Sequence, residues 1–230
     1  MQDFKHKKHL FFDLDHTLWD FDKNSSFAFD AIFRERGFAI DLTDFLEVYI
    51  PRNHHYWKLY QFNQISHEDL RYFRLKDVFD VLNFKVSDVD INKVSEDYIN
   101  YLPEFNHLFD GAIELLEYLK PKYNLHIITN GFASAQTRKL KNSKLEHYFE
   151  TITNSEMAGA KKPNRTIFEF ALTSANALKL DSLMIGDSYE ADVLGAQDAG
   201  IEAIFFNEQQ VEVDEQVHQI SHLLELKKLL

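Results

Sequence analysis

The hydrophobic and polar positions follow two different patterns along this chain. A short apolar run, Leu10 to Phe12, ends at the carboxylate of Asp13, which predicts a buried strand at residues 8–13. From Asn24 to about Pro103, apolar residues recur at helical spacing and no strand-like run interrupts them. From Gly111 onward, short apolar runs alternate with amphipathic segments. Such alternation is typical of a parallel sheet with right-handed crossovers.

Start and stop signals divide the long helical stretch into segments. Ser25 or Ser26 can cap a helix that stops at Gly37. Ser66 with Asp69 resembles a capping box. We predict four helices here, at about residues 25–37, 42–60, 66–81 and 87–101.

The remaining segments complete an α/β fold. We predict further helices at residues 111–120, 132–141, 166–178, 190–198 and 221–230. We predict further strands at residues 125–128, 151–153, 183–185 and 201–206. The expected architecture is a Rossmann-like parallel sheet flanked by helices, with a helical-bundle cap inserted after the first strand. The domain prediction is a core at residues 1–20 and 104–230 and a helical cap at residues 21–103.

Candidate chemistry begins where the first strand ends, in FFDLDHTLWD. Asp13, Asp15 and Thr17 follow the apolar run at intervals of two. Ligands bind at this carboxyl edge in open α/β sheets, and a divalent cation is the usual partner of two close carboxylates. An EF-hand is rejected because Leu18 and Asn24 stand where that loop needs Gly and Glu.

The strand LHIITNG ends in a second polar group. Thr129, Asn130 and Gly131 lead into a predicted helix. A hydroxyl, an amide and a glycine at this point can form a cradle for a phosphate or an oxyanion. The alternative is that the same residues only cap the helix.

Two further segments carry a pair of lysines and two carboxylates. Lys161 and Lys162 precede Pro163 in AGAKKPNRTIF, where the alternative is two exposed lysines on a loop. Asp187 ends the strand LMIGD, where it could instead be a helix N-cap, and Asp192 follows five residues later. Together, the four strand ends hold a set of groups sufficient for phosphoryl transfer through a carboxylate nucleophile.

Composition limits the classes of partner. The 230 residues carry a net charge of −12, which disfavours binding to nucleic-acid polymers. There is no Cys, which excludes disulfides and thiolate metal sites and fits a reducing cytoplasm. We expect no signal peptide, no membrane span and a cytoplasmic location, while the oligomeric state stays open. His218 and His222 are expected on a solvated helix face rather than at a metal.

The four motifs, in their order, resemble those of the haloacid dehalogenase superfamily. The matching segments are FFDLDHTLW, IITNG, Lys162-Pro163 and GDSYEAD. The helical insertion is similar to the cap of the subfamily that contains dehalogenases, phosphoglycolate phosphatases and pyrimidine 5′-nucleotidases. TNGF, KKPNRTIF and GDSYEADVLGAQDAGI look most similar to the bacterial pyrimidine 5′-nucleotidases. His16 departs from the residue more common at its position, and its side chain is expected to point away from the site.

The resemblance implies a mechanism and a set of site residues. Asp13 would be the nucleophile and Asp15 the general acid and base, with Mg²⁺ as the cofactor. Asp15 favours a phosphatase, because the position is not acidic in the dehalogenases. The implied metal ligands are Asp13, Asp187 and the backbone carbonyl of Asp15. The implied phosphate-binding residues are Thr129, Asn130, Gly131 and Lys162. Thr17 is expected to brace the loop after the first strand, and Asp192 to orient Lys162 or the loop.

Substrate choice is expected to lie in the cap. Phe21, Asn53, Trp57 and Tyr60 are candidates to contact a small-molecule phosphate ester, although Trp57 and Tyr60 could equally be cap core. The leading prediction is a pyrimidine nucleoside 5′-monophosphate nucleotidase. The alternatives are a sugar-phosphate or phosphoglycolate phosphatase, a phosphomutase, a haloacid dehalogenase or a non-catalytic binding module.

Overall fold

The structure is a computed structural model, which describes residues 3–230. The chain divides into two compact units. We call Met1–Asp20 with His107–Leu230 the sheet unit, and Phe21–Asn106 the helical unit. The predicted boundary between a core and a cap domain stays a prediction. Within residues 3–230, none of the helices combines the length and apolarity needed to cross a bilayer.

The sheet unit is built on six parallel strands, which confirms the predicted fold class. The strands are β1 (His9–Phe12), β2 (Asn124–Thr129), β3 (Thr151–Asn154), β4 (Ser182–Gly186), β5 (Glu202–Phe206) and β6 (Gln219–Ile220). Their spatial order is β3-β2-β1-β4-β5-β6. Strands β2 and β3 follow in turn on one side of β1, and β4, β5 and β6 follow in turn on its other side. The order therefore reverses at β1, where ligand sites of open α/β sheets lie.

The helical unit contains four helices between β1 and β2, as the apolar spacing predicts. They are α1 (Phe21–Arg36), α2 (Leu42–Gln61), α3 (His67–Val81) and α4 (Asp88–Tyr101). Ser66 and Asp69 form the predicted capping box at the start of α3. An aromatic cluster fills the interior, in which the fully buried Phe29 ring contacts Phe45, Tyr49 and Tyr98. Much of the high aromatic content of the chain is therefore structural.

The helices of the sheet unit lie between the strands in chain order and flank the sheet. They are α5 (Ala112–Leu119), α6 (Ala133–Asn142), α7 (Ser155–Ala158), α8 (Arg165–Ser174) and α9 (Gly195–Asp198). A π-helical segment, Tyr189–Leu194, runs directly into α9. Asn164 accepts a hydrogen bond from the Thr166 amide and caps α8.

The structure corrects several predicted boundaries. The first helix begins at Phe21 rather than at Ser25, and α8 ends at Ser174 because Asn176 adopts a left-handed backbone (φ 50°) that stops the helix. The predicted C-terminal α-helix is instead the 3₁₀ segment Leu223–Lys228.

The two C-terminal histidines do not share a helix face, which corrects that prediction. His218 precedes the short strand β6, and His222 has extended backbone and caps the 3₁₀ segment. The His222 ring accepts a hydrogen bond from the Leu224 amide. The apolar spacing of this segment reflects burial of Leu223 and Leu226, which a 3₁₀ segment achieves as well as an α-helix.

Candidate active site

The strand register brings the predicted motifs to one edge of the sheet. Phe12 at the end of β1 pairs with Ile127 of β2 and with Ile185 of β4. The next residue, Asp13, donates its backbone N–H to the Ile185 carbonyl at 2.9 Å. Residues that directly follow Phe12 and Ile185 therefore lie side by side.

Lys162 joins this edge as a buried ion-pairing group. Its Nζ lies 2.8 Å from Asp13 Oδ1 and 2.6 Å from Asp192 Oδ1, and it donates to the Ile128 carbonyl at 2.8 Å. Lys162 is 2% exposed, so the alternative of an exposed loop lysine is wrong. Burial by itself lowers the pKa of Lys162, but the two carboxylates outweigh it and raise the pKa above its usual value.

Asn130 holds the backbone of Lys162. Its Nδ2 donates to the Lys162 carbonyl at 3.0 Å, and its Oδ1 accepts from the Lys162 N–H at 2.7 Å. Thr129 Oγ1 accepts from the Gly131 N–H at 3.0 Å. The N-cap of α6 is Phe132, so the alternative that these residues only cap the helix is wrong. The paired bonds from the Asn130 side chain to Lys162 could not be read from sequence.

Thr17 holds Asp187. The Thr17 hydroxyl donates to Asp187 Oδ1 at 3.0 Å and accepts from the Asp187 N–H at 3.1 Å. The cap of the following π-helical segment is Ser188, whose Oγ accepts from the Ala191 N–H, so Asp187 is not an N-cap. This reciprocal pair ties the loop after β1 to the end of β4.

Asp192 lies against Gly186 at the end of β4 and contacts the Lys162 ammonium. Its Oδ2 accepts from the Ser188 N–H at 3.0 Å while Oδ1 faces Lys162. A Cβ at Gly186 would overlap the Asp192 carboxylate. Gly186 is therefore required for Asp192 to lie against the end of β4.

Three carboxylates cluster closely enough to share a cation. One oxygen from each of Asp13, Asp187 and Asp192 lies within 4.8 Å of the others. Burial raises the pKa of Asp13 to about 7. The neighbouring Asp192 and Asp15 add to this rise, and Lys162 opposes it. Burial and the neighbouring Asp13 and Asp192 also raise the pKa of Asp187 well above its usual value. A divalent cation with oxygen ligands relieves such repulsion, so these residues fit one.

Asp15 is held by two residues that sequence reasoning missed. Gln136 Nε2 donates to Asp15 Oδ2 at 2.7 Å, and Lys139 Nζ donates to Asp15 Oδ1 at 2.6 Å. Both donors come from α6, one turn apart. Their spacing of three residues places them on one helix face, but a polar pair on a helix is usually solvated. Both side chains are instead 2% exposed.

The four candidates for substrate selection lie in the helical unit. Phe21 is buried, and the 3% exposed Asn53 accepts hydrogen bonds from Arg74 at 3.0 Å and Tyr49 at 3.3 Å. Trp57 and Tyr60 are half-buried and meet edge to face, with ring centroids 5.7 Å apart. Asn53 thus belongs to a polar cluster inside the helical unit.

The buried Asp13 carboxylate is paired with the buried Lys162 ammonium, and a second, hydrogen-bonded carboxylate, Asp15, lies at the same edge, where the order of parallel strands reverses. The fold and the site together define an α/β protein with a carboxylate-centred site at the carboxyl ends of its parallel strands. The chain belongs to the haloacid dehalogenase-like hydrolases, whose family profile matches residues 10–206.

Individual relatives cover nearly the whole chain. Pyrimidine 5′-nucleotidase PynA of Streptococcus pneumoniae is 34% identical over 207 residues, which are 89% of this chain and 86% of PynA. Pyrimidine 5′-nucleotidase YjjG of Escherichia coli is 33% identical over 225 residues, 96% of each chain. The solved structure of the HAD-hydrolase YfnB from Bacillus subtilis, described as bound to magnesium, matches with a TM-score of 0.87 at 26% identity. That match covers 96% of this chain and 97% of YfnB.

Proposed function

We propose that this protein is a Mg²⁺-dependent phosphatase that hydrolyses pyrimidine nucleoside 5′-monophosphates through an aspartyl-phosphate. The arrangement of Asp13 beside Lys162 and Asp187 is the observation that carries the reaction type. The similarity to PynA and YjjG over most of the chain supports the choice of substrate.

The proposed reaction has two steps. A carboxylate oxygen of Asp13 attacks phosphorus, and the bond from phosphorus to the ester oxygen breaks. Asp15 donates a proton to the leaving oxygen. Water then attacks phosphorus, Asp15 takes the proton of that water, and inorganic phosphate leaves with Asp13 regenerated as a carboxylate.

Electrostatics makes cations necessary for the first step. A carboxylate about 4 Å from a phosphate dianion is repelled by roughly 8 kcal/mol at an effective dielectric constant near 20. Lys162 lies 2.8 Å from Asp13 and supplies one positive charge at the nucleophile. When bound, Mg²⁺ would be held by the Asp13 and Asp187 side chains and the Asp15 carbonyl, and it would offset the remaining repulsion.

The remaining residues position the phosphate and the lysine. The Thr129 hydroxyl and the Asn130 N–H at the end of β2 are proposed to bind phosphate oxygens, whereas the Gly131 N–H already donates to Thr129 Oγ1. Asn130 fixes the Lys162 backbone, and Asp192 fixes its ammonium. The lysine is thereby directed at Asp13 before substrate arrives, which avoids an ordering cost during the reaction.

The first test is phosphate release from a panel of esters with Mg²⁺. We expect uridine and thymidine monophosphates to be hydrolysed with a higher kcat/KM than glycerol phosphate, glucose 6-phosphate or phosphoglycolate. A preference for the sugar phosphates or for phosphoglycolate would contradict the nucleotidase assignment. No phosphate release from any ester would contradict the phosphatase itself.

The same panel tests the helical unit as the source of selectivity. Base stacking on an aromatic ring contributes about 1–3 kcal/mol. We therefore expect Trp57→Ala to lower kcat/KM for uridine monophosphate about tenfold more than for glycerol phosphate. Phe62→Ala, a half-exposed aromatic residue just after α2, is the matched control. Equal losses for both esters in Trp57→Ala would remove Trp57 from substrate recognition.

A further inference from the structure

The Asp15 carboxylate is held at both of its oxygens. Oδ2 accepts from Gln136 at 2.7 Å and Oδ1 accepts from Lys139 at 2.6 Å. A carboxylate with one bonded oxygen can still rotate about its χ2 torsion, whereas two bonds from different side chains fix the plane of the group. The orientation of Asp15 is therefore determined by α6 rather than by its own turn.

Gln136 reaches Asp15 only because residue 131 has no side chain. A Cβ at Gly131 would overlap the Gln136 amide nitrogen and crowd the rest of its amide. The Gln136 side chain is 2% exposed, and its Oε1 has no hydrogen-bond partner within residues 3–230. Burying an unpaired amide oxygen is unfavourable, so the amide is placed for its bond to Asp15 at a cost.

Lys139 is buried along its whole length. Its Nζ lies 4.2 Å from the centroid of the Trp19 ring, and the Trp19 side chain is fully buried. A cation over an aromatic face is attracted to it, and a lysine stem packed in an apolar wall loses its rotamer freedom. The ammonium that meets Asp15 is thus itself held in place.

We propose that Gln136 and Lys139 are positioning residues that orient the Asp15 carboxylate for proton transfer, with Gly131 providing the space for Gln136. This inference rests on the proposed function, because it concerns the step in which Asp15 protonates the leaving oxygen. Neither side chain needs to touch the substrate. Their effect is expected only where that proton transfer limits the reaction.

The leaving group separates positioning from a purely structural role. The ester oxygen of uridine monophosphate needs a proton to depart, whereas p-nitrophenolate departs readily without one. The ratio kcat/KM reports steps up to the first irreversible one, which includes departure of the leaving group. A variant with a misplaced Asp15 is therefore expected to lose activity on the nucleotide selectively, and general damage lowers both activities equally.

The experiment compares Lys139→Met, Lys139→Arg and Gln136→Leu with wild type on both esters. We expect Lys139→Met and Gln136→Leu to lose at least tenfold in kcat/KM for uridine monophosphate and less than threefold for p-nitrophenyl phosphate. Lys139→Arg keeps a cationic donor and is expected to recover most of the loss. Lys141→Met, which removes an exposed lysine from the same helix, is the matched control and should equal wild type.

Three outcomes would overturn the inference while wild type is active. They are wild-type kinetics in Lys139→Met, equal losses on both esters, or no recovery in Lys139→Arg. A wild type that is inactive on both esters would instead contradict the proposed function. In that case a crystal structure of Lys139→Met still decides the inference, because an unmoved Asp15 carboxylate would refute it and a rotated one would support it.

Discussion

At the scale of single residues, neighbouring side chains determine where the Asp13 carboxylate points. Asp13 meets Lys162, and Lys162 is held by Asp192 and by the backbone bonds of Asn130. Gly186 provides the space for Asp192. Each of these groups would be costly to bury alone, and each is paired with a neighbour of opposite charge or matching hydrogen-bond capacity.

Asp13→Asn is the most direct test at this scale. An amide cannot form the aspartyl-phosphate, so we expect turnover of any phosphate ester to fall at least about 10³-fold. The folded-state pKa of Asp13 is raised to about 7, so ionisation of this buried carboxyl removes stability as pH rises through that value. Without metal at pH 8, thermal unfolding of Asp13→Asn is therefore expected at the wild-type temperature or higher.

Asp198→Asn is the control for this variant, since Asp198 is exposed on α9. It should leave both phosphate release and the unfolding temperature unchanged. Retained turnover in Asp13→Asn would end the assignment of Asp13 as the nucleophile. A lower unfolding temperature would show that the Asp13 charge stabilises the fold.

At the scale of elements, strand β2 carries a buried histidine that pairs across the sheet. His126 lies 3.0 Å from His9 of β1 and 2.9 Å from the Thr151 hydroxyl of β3, and its ring stacks on Phe11. Burial, and then the neighbouring His9, lowers the pKa of His126 to about 4. His126 is therefore neutral at physiological pH, and the two histidines with Thr151 link three adjacent strands.

His126 is expected to make the fold acid-sensitive. Between pH 6.5 and about 4 the unfolded chain binds a proton that folded His126 does not, so stability is lost as pH falls through this window. In His126→Gln the loss of unfolding free energy between pH 7 and pH 5 should be smaller by on the order of 1 kcal/mol, allowing for solvent screening. Urea unfolding at several pH values measures this slope.

His6→Gln is the matched control, because His6 is exposed near the start of the chain. Its pH dependence should follow wild type. If His126→Gln also followed wild type, His126 would not be the group that senses acid. The comparison concerns slopes, so the loss of a hydrogen bond on substitution does not affect it.

At the scale of the whole molecule, an acidic protein with net charge −12 concentrates three of its carboxylates in one buried cluster. Lys162 offsets part of the repulsion among them, and a bound divalent cation would offset more of it. Binding of a ligand to the folded state alone raises stability by RT ln(1 + [L]/Kd). Metal binding and global stability are therefore expected to be linked.

Millimolar Mg²⁺ is expected to raise the unfolding temperature of the wild type. At a concentration of about 100 Kd the gain is about 2.7 kcal/mol, which corresponds to several degrees for a chain of this size. Asp187→Asn removes one proposed ligand and should abolish most of the shift, whereas Asp198→Asn should keep it. Differential scanning calorimetry with and without EDTA measures both, and an equal shift in Asp187→Asn would contradict the metal site.

The position of the site could be predicted from sequence because it depends on local signals. Apolar runs that end in Asp13, Thr129 and Asp187 mark the carboxyl ends of strands, and parallel strands present those ends at one edge. The four helices of the helical unit could also be predicted, from the spacing of their apolar residues. The 3₁₀ segment at the C-terminus could not be predicted, because an apolar pattern over a few residues fits a 3₁₀ segment and an α-helix equally well.

The sequence by itself determined the α/β class, the chemical groups at the sheet edge and their order along the chain. Only the tertiary structure decided which groups support them. Gln136 is 121 positions from Asp15, and the period of α6 defines its polar face without indicating what that face meets. Such pairings depend on how a helix packs over the sheet, and they arise when distant segments are buried together.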